Sequence, residues 1–253
     1  MSVALAIFEH MFEAGTVTPT APLVSTATPF DRVGELQSRI RGMEATRLDT
    51  KAVPTHPALA EVLPGGSLRE GTVVRALGST SLLMALLAGP SASGRWIAVA
   101  GIPDFGVEAA RGFDIDLDRL VLVPDPGDQW LSVVAALADA VPIVAVRPVG
   151  RVSPAEASRV AARLRQRGAV LIVAGDWPAA DTVLEVSDGR WHGLDRGHGA
   201  LLEREVVLRG SGRGGFGQER LARLRLPDRS LGVAPDAEPG EVRYVDFGRR
   251  AAG

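Results

Sequence analysis

The stretch Thr72-Val73-Val74-Arg75-Ala76-Leu77-Gly78-Ser79-Thr80-Ser81 decides the fold, because a strand pattern passes through one glycine into an apolar helix. Outward from it, short apolar runs alternate with helical patterns. Strands are predicted at Trp96–Ala100, Leu120–Val123, Pro142–Val146 and Ala169–Ala174. Helices are predicted at Ser81–Ala88 (ended by Gly89-Pro90), Val107–Arg111, Trp130–Ala140 and Ser153–Arg167. Nearly continuous apolar strands between helices are typical of a parallel sheet covered on both faces.

Three further strand patterns follow this alternation, separated by Asp-Gly and Gly-rich turns: Thr182–Val186, Arg190–Leu194 and Leu201–Arg209. Turns of this kind join antiparallel neighbours. The sequence therefore predicts an α/β fold with a mostly parallel sheet, flanked by helices and extended by antiparallel strands at its C-terminal end.

The chain divides into three parts by composition. In residues 1–34 a possible short helix, Ala4–Phe12, leads into the Thr/Pro/Ala-rich stretch Thr16–Pro29, which predicts a disordered leader or an over-called start site. The alternative is a partner-binding helix with Leu5, Phe8 and Phe12 on one face. Residues 35–226 form the core domain, which begins with the end of a helix predicted over Arg32–Leu48. Residues 227–253 are rich in Pro, Gly and charge and predict a mobile tail.

Composition narrows the function classes. The formal net charge of -2 gives no overall attraction to nucleic acid, so such binding needs a local basic patch. There is no cysteine, which excludes disulfides and thiolate metal sites. The N-terminus has no basic segment ahead of its short apolar run, so we expect neither a signal peptide nor a membrane span, and a cytoplasmic protein.

The loop Gly78, Ser79, Thr80, Ser81 stands where a parallel α/β sheet binds phosphate, at the end of a strand and the start of a helix. A triphosphate loop needs several glycines and a lysine, but this loop has one glycine, and Lys51 is the only lysine in the chain. The loop is thus degenerate, and the alternative is that Ser79 or Thr80 only caps the helix.

Magnesium binding requires a carboxylate at the end of the central strand, but Pro142–Val146 is followed by Arg147. The strand Trp96–Ala100 is followed by Asp104, which is either a vestigial acidic position or an ordinary turn aspartate. No catalytic residue and no cofactor are therefore predicted.

Two motifs carry a resemblance to a known family. The first is Val62-Leu63-Pro64-Gly65-Gly66-Ser67-Leu68-Arg69-Glu70-Gly71 leading into the first strand; the second is Gly112-Phe113-Asp114-Ile115-Asp116-Leu117-Asp118-Arg119-Leu120 followed by Pro124-Asp125-Pro126-Gly127-Asp128-Gln129-Trp130. With Arg147-Pro148-Val149-Gly150-Arg151 and Gly175-Asp176-Trp177-Pro178, the stretch Arg32–Leu226 resembles the actinobacterial ImuA-prime group. These are RecA-like accessory proteins of the damage-induced mutasome.

The resemblance implies a RecA-like core that binds ImuB, an inactive homologue of Y-family polymerases, and supports error-prone translesion synthesis in the SOS response. It implies an indirect link to the error-prone replicative polymerase, and contact with single-stranded DNA and self-association remain open. Compared with catalytic RecA proteins, the phosphate lysine and the acidic residue of the central strand are missing. The alternatives are a weak or atypical NTPase using Asp104, or a SulA-like regulator of another assembly.

Two arginine groups are candidate nucleic-acid contacts. Arg159, Arg163 and Arg167 recur every fourth residue on the Ser153–Arg167 helix. Between Arg209 and Arg225, five arginines stand against one acid in a Gly-rich segment read as a basic loop, with Arg209, Arg213 and Arg220 as its candidate contacts. A solvated face and loop is the alternative for both groups.

Tryptophan is enriched at binding hot spots, so Trp130, Trp177 and Trp191 are candidate anchors. We expect Trp130 and Trp96 to be buried. For Trp177, burial and partner binding stay equally open, and Asp176 beside it is the second candidate partner-binding residue. His192 and His198 flank a turn but lack a third ligand, so no metal site is predicted.

Overall fold

The computed structural model describes residues 52–195, 198–212 and 219–236. The predicted leader, the helix over Arg32–Leu48 and residues 237–253 of the predicted tail lie outside these ranges.

Nine strands of the described residues form one sheet, and two more form a small antiparallel pair. The pair is β1 (Ala52–Val53) and β2 (Leu68–Arg69). The sheet holds β3 (Val73–Leu77), β4 (Ile97–Ala100), β5 (Leu120–Val123), β6 (Ile143–Val146), β7 (Val170–Val173), β8 (Thr182–Asp195), β9 (His198–Gly212), β10 (Arg220–Arg225) and β11 (Ala234–Pro235). Their order is β11-β10-β9-β8-β3-β7-β6-β4-β5.

The α-helices are α1 (Thr80–Ala92), α2 (Val107–Gly112), α3 (Trp130–Ala140) and α4 (Pro154–Arg167); 3-10 turns lie at Pro57–Val62, Pro64–Gly66 and Leu117–Arg119. Six consecutive strands of this order, from β8 to β5, run parallel to one another. The pairs β8–β9, β9–β10 and β10–β11 are antiparallel. The predicted mostly parallel sheet with an antiparallel C-terminal extension is confirmed.

Alternate residues of the parallel strands enter two separate cores. Val74, Ile97, Ile143 and Ile172 pack with α1 and α2 on one face. Val73, Ala98, Val144 and Leu171 pack with α3 and α4 on the other face. All four residues of β4, β6 and β7 are buried, because helices cover both faces of these strands.

The end of α1 differs from the prediction, since the helix continues through Gly89 and Pro90 to Ala92. Proline lacks the N–H that would donate a helical hydrogen bond and its ring crowds the preceding turn, and α1 accommodates Pro90 two residues before its end. Gly89 serves close packing: a Cβ there would lie 2.6 Å from Thr55 Cα, so only glycine lets the segment before the first 3-10 turn cross the helix.

The antiparallel part is more regular than predicted. The Asp188-Gly189 turn expected between two strands is an irregularity within β8, where the register to β9 shifts between Ser187 and Arg190. The prediction of a basic loop between Arg209 and Arg225 is wrong at both of its ends. Residues 209–212 belong to β9, and β10 (Arg220–Arg225) pairs with β9 and buries Ala222 and Leu224. None of the helices in the described ranges combines the length and hydropathy needed to cross a bilayer.

His56 precedes the first 3-10 turn, Pro57–Val62, and is expected to make the free energy of unfolding depend on pH. Its Nδ1 accepts a hydrogen bond from Ala58 N at 3.3 Å, which caps the first 3-10 turn. Burial lowers the pKa of His56 below 6.5, and the nearby charge of Asp228 opposes this only partly. The unfolded chain takes up a proton near pH 6.5, which folded His56 resists.

We therefore expect the free energy of unfolding to fall as the pH is lowered from 7 through 6.5 and towards the folded pKa of His56. Urea unfolding at a series of pH values measures this slope. His56→Asn keeps a capping oxygen and is expected to flatten the curve in this window; an equal slope in both proteins would assign the dependence to another group.

Candidate functional site at the carboxyl edge of the sheet

The parallel strands β3, β7, β6 and β4 end at the same edge of the sheet, where α/β folds bind ligands. The loops that follow them contain the residues singled out from the sequence: Gly78–Ser81, Gly175–Trp177, Arg147 and Asp104. The fold thus brings the predicted loop positions to one edge.

The loop after β3 is a tight turn. Gly78 has φ +82°, and a Cβ at this position would lie 2.5 Å from the carbonyl oxygen of Val186 in β8. Ser79 is the N-cap residue of α1, but its side chain makes no capping hydrogen bond; Thr80 and Ser81 form the first turn of the helix. The glycine is therefore required by packing against β8, and the predicted side-chain cap from Ser79 is not formed.

Arg147 and Asp104 meet at this edge because β6 lies next to β4. Arg147 Nη1 donates to Asp104 Oδ1 at 2.6 Å. This hydrogen bond, with the adjacent positive charge, lowers the pKa of Asp104 below 3.8. The Asp104 carboxylate is thus neutralised by a guanidinium and is not free to hold a cation.

A second ion pair lies between the ends of β3 and β7. Arg75 Nε donates to the Gly175 carbonyl at 3.0 Å, and its Nη2 donates to Asp176 Oδ1 at 2.7 Å. Asp176 is exposed, as a binding position needs to be. Its carboxylate and that of Asp104 are therefore both paired with arginine.

The tryptophans separate by burial. Trp177 is 4% exposed, within the core beneath α3 and α4, so the structure decides its open alternative in favour of burial. Trp130 is also buried, as predicted. Trp96 is 48% exposed, so its expected burial is wrong: it precedes β4 and does not share the cover of that strand. Trp191 is 45% exposed.

The arginine face of α4 has a carboxylate at its centre. Arg163 donates to both oxygens of Asp139 in α3, at 2.8 and 2.6 Å, and Arg167 Nε donates to Asp139 Oδ1 at 3.0 Å. The hydrogen bond from Arg163 lowers the pKa of Asp139 most strongly. Arg159 is exposed on the same helix. Two of the three predicted contacts therefore share a neutralising partner, which weakens a basic face.

The second arginine group is placed on strands. Arg209 lies in β9 opposite Glu185, and its Nε is buried without a hydrogen-bond partner. Arg220 lies in β10 and donates to the Glu61 carbonyl at 3.3 Å. Arg213 lies outside the described residues. These positions belong to paired strands at both ends of the segment.

Sequence reasoning missed a buried carboxylate in the antiparallel extension. Glu203 is 5% exposed and accepts from Arg225 Nη1 and Arg229 Nε, each at 3.1 Å. Burial raises the pKa of Glu203, but the hydrogen bond from Arg229 and the charges of Arg225 and Arg229 outweigh it and the net pKa is lowered. The alternation of Ala222 and Leu224 with arginines was the signal for a strand here.

Residues 61–179 match the family model described as the MT3502 N-terminal domain. This match includes β3 to β7, all four helices and the carboxyl-edge loops. The chain is also 41% identical over 128 residues to the uncharacterized protein Rv3395c of Mycobacterium tuberculosis. The matched residues are 49% of this chain and 63% of that protein. The chain thus spans less than two thirds of this mycobacterial relative.

Proposed function

We propose that the chain is a non-catalytic, RecA-like accessory protein of the damage-induced mutasome, which binds an ImuB-type protein and supports error-prone translesion synthesis. The pairing of Arg147 with Asp104 carries the non-catalytic part. The assignment to the mutasome rests on the resemblance over Arg32–Leu226.

The geometry of the carboxyl edge supports a binding rather than a catalytic role. Phosphoryl transfer needs a cation for the phosphates and a free carboxylate for magnesium. Here the loop after β3 has no lysine and its glycine packs on β8. Two acidic residues of the described carboxyl-edge loops, Asp104 and Asp176, are paired with Arg147 and Arg75 respectively. What remains is a rigid α/β scaffold.

In this role the protein acts in the cytoplasm, and it reaches the error-prone replicative polymerase through ImuB. Single-stranded DNA contact is a weaker part of the proposal. The exposed Arg159 is its best-placed candidate, since Arg163 and Arg167 already bind Asp139.

Co-expression with ImuB from the same organism, followed by size-exclusion chromatography at moderate salt, tests the proposal. We expect co-elution, and we expect the triple variant Ser79→Ala, Thr80→Ala, Asp104→Asn to co-elute equally well. Separate peaks from two folded proteins would contradict the proposal.

Mg-ATP turnover of the purified chain discriminates the enzyme alternative. We expect turnover no higher than that of the triple variant. Turnover that the triple variant abolishes, but that persists in Ser132→Ala on the exposed side of α3, would replace the accessory role with an NTPase.

A further inference from the structure

Strands β8 and β9 continue beyond the sheet as a two-stranded ribbon. β3 pairs with β8 only over Thr182–Glu185, and β10 pairs with β9 only over Glu205–Gly210. Residues 191–195 and 198–204, which we call the ribbon, pair as strands only with each other among the described residues. The ribbon therefore extends past the elements that cover the sheet.

The ribbon carries a concentration of exposed apolar side chains. Trp191 is 45% exposed, Leu194 59%, Leu201 53% and Leu202 46%. Four of the nine exposed large hydrophobic residues in the described ranges thus lie on this short segment. The register places Trp191 and Leu202 on one face of the ribbon, and Leu194 and Leu201 on the other. Single exposed apolar residues are ordinary on protein surfaces, but two such residues on each face of one short ribbon mark an interaction site.

Charged and polar side chains at the base of the ribbon contact other groups of the chain, although Arg204 Nε is buried without a hydrogen-bond partner. The guanidinium of Arg204 lies 5.9 Å from the centroid of the Trp191 ring, at the range of a cation–π contact. His192 Nε2 lies 3.1 Å from Glu205 Oε2, and Glu203 binds Arg225 and Arg229. These contacts hold the base of the ribbon within the chain, whereas its four large apolar side chains are exposed among the described residues.

Charge narrows the class of partner. Residues 188–205 contain three arginines and four carboxylates, a net charge of -1. Nucleic acids and anionic lipid surfaces attract basic segments, so neither is favoured by this one. An apolar groove on a protein matches both the near-neutral charge and the exposed Trp and Leu side chains, because tryptophan in such a groove is a frequent hot spot.

We propose that the ribbon inserts into an apolar groove of the ImuB-type partner, with Trp191 and Leu202 on one of its faces and Leu194 and Leu201 on the other. This inference rests on the proposed function and names the surface that performs it. Because β8 runs parallel to β3 and continues past Leu77, the ribbon leaves the sheet at the carboxyl edge, beyond the Val186 carbonyl that packs on Gly78. Its exposed apolar side chains are residues other than Gly78–Ser81 of the degenerate phosphate loop.

Isothermal titration of purified ImuB-type protein with the full chain tests the inference. We expect Trp191→Ala to weaken binding about thirtyfold, as loss of a hot-spot residue does. Leu201→Ser is expected to weaken it in the same direction. Trp96→Ala is the matched control, because Trp96 is equally exposed at 48% but lies ahead of β4. Circular dichroism verifies that each variant is folded.

The outcomes separate the two proposals. Wild-type binding that persists unchanged in both ribbon variants would overturn the ribbon assignment and leave the accessory function in place. Absence of wild-type binding would overturn both. A chain that elutes alone at twice its mass, and at its single mass after Trp191→Ala, would assign the ribbon to a second copy instead. Binding to single-stranded DNA or to anionic vesicles that Trp191→Ala abolishes would also overturn it.

Discussion

Trp177→Ala is expected to lower the free energy of unfolding by about 3 to 5 kcal/mol, the usual cost of removing a large buried aromatic side chain. Trp177 is 4% exposed and packs in the core that α3 and α4 form with the sheet. Removing the indole forfeits its burial and leaves a cavity that rigid strands on one side cannot fill. Urea denaturation followed by circular dichroism measures the loss.

Trp191→Ala is the control for this measurement, because Trp191 is 45% exposed on the ribbon. Its effect on stability is expected to stay within about 0.5 kcal/mol, as for most surface substitutions. The two tryptophans thus have opposite expected effects, one on stability and one on partner binding. A Trp177→Ala protein of unchanged stability that fails to bind ImuB would restore Trp177 as a surface anchor.

The central strands of the parallel half were predictable because β4, β6 and β7 are buried on both faces. A fully covered strand needs apolar residues at every position, so Pro142–Val146 and Ala169–Ala174 stand out from the helical patterns beside them. The bounds of α3 are as predicted, and α4 starts at its predicted cap: Ser153 and Glu156 form a capping box.

The antiparallel half was harder, because its strands are covered on one face only. In β10 the buried Ala222 and Leu224 alternate with arginines, and the arginine count suggested a loop. The Asp188-Gly189 pair is typical of a hairpin turn but is part of a register shift within β8. Local turn chemistry therefore gave the wrong topology where strand pairing over a long hairpin decided it.

The candidate site shows the same division. Arg147 and Asp104 were each recognised at a strand end, but their ion pair depends on β6 lying next to β4, which the order of strands along the chain does not reveal. Asp139 lies on α3, so the spacing of Arg163 and Arg167 along α4 does not reveal it as their partner. Burial of Trp177 likewise depends on α3 and α4, which come together only in the fold.

Gly78→Ala is expected to lower the free energy of unfolding by about 3 kcal/mol. A left-handed backbone at a residue with a Cβ costs about 1 to 3 kcal/mol, and overpacking adds a similar amount. Gly78 has φ +82°, and the added Cβ would lie 2.5 Å from the Val186 carbonyl oxygen. That oxygen belongs to β8, which is fixed between β3 and β9, so the neighbour cannot move away. Thermal and urea unfolding measure the loss.

Gly150→Ala separates the two contributions, since Gly150 has φ +80° but nothing within 4 Å of an added Cβ. The difference between the variants isolates the contact with β8. Equal losses would mean that the loop after β3 has room for a side chain, and a phosphate-binding role for its glycine would then regain support. A larger loss at Gly78 ties the glycine to strand packing, so a single glycine at this turn is explained without any nucleotide.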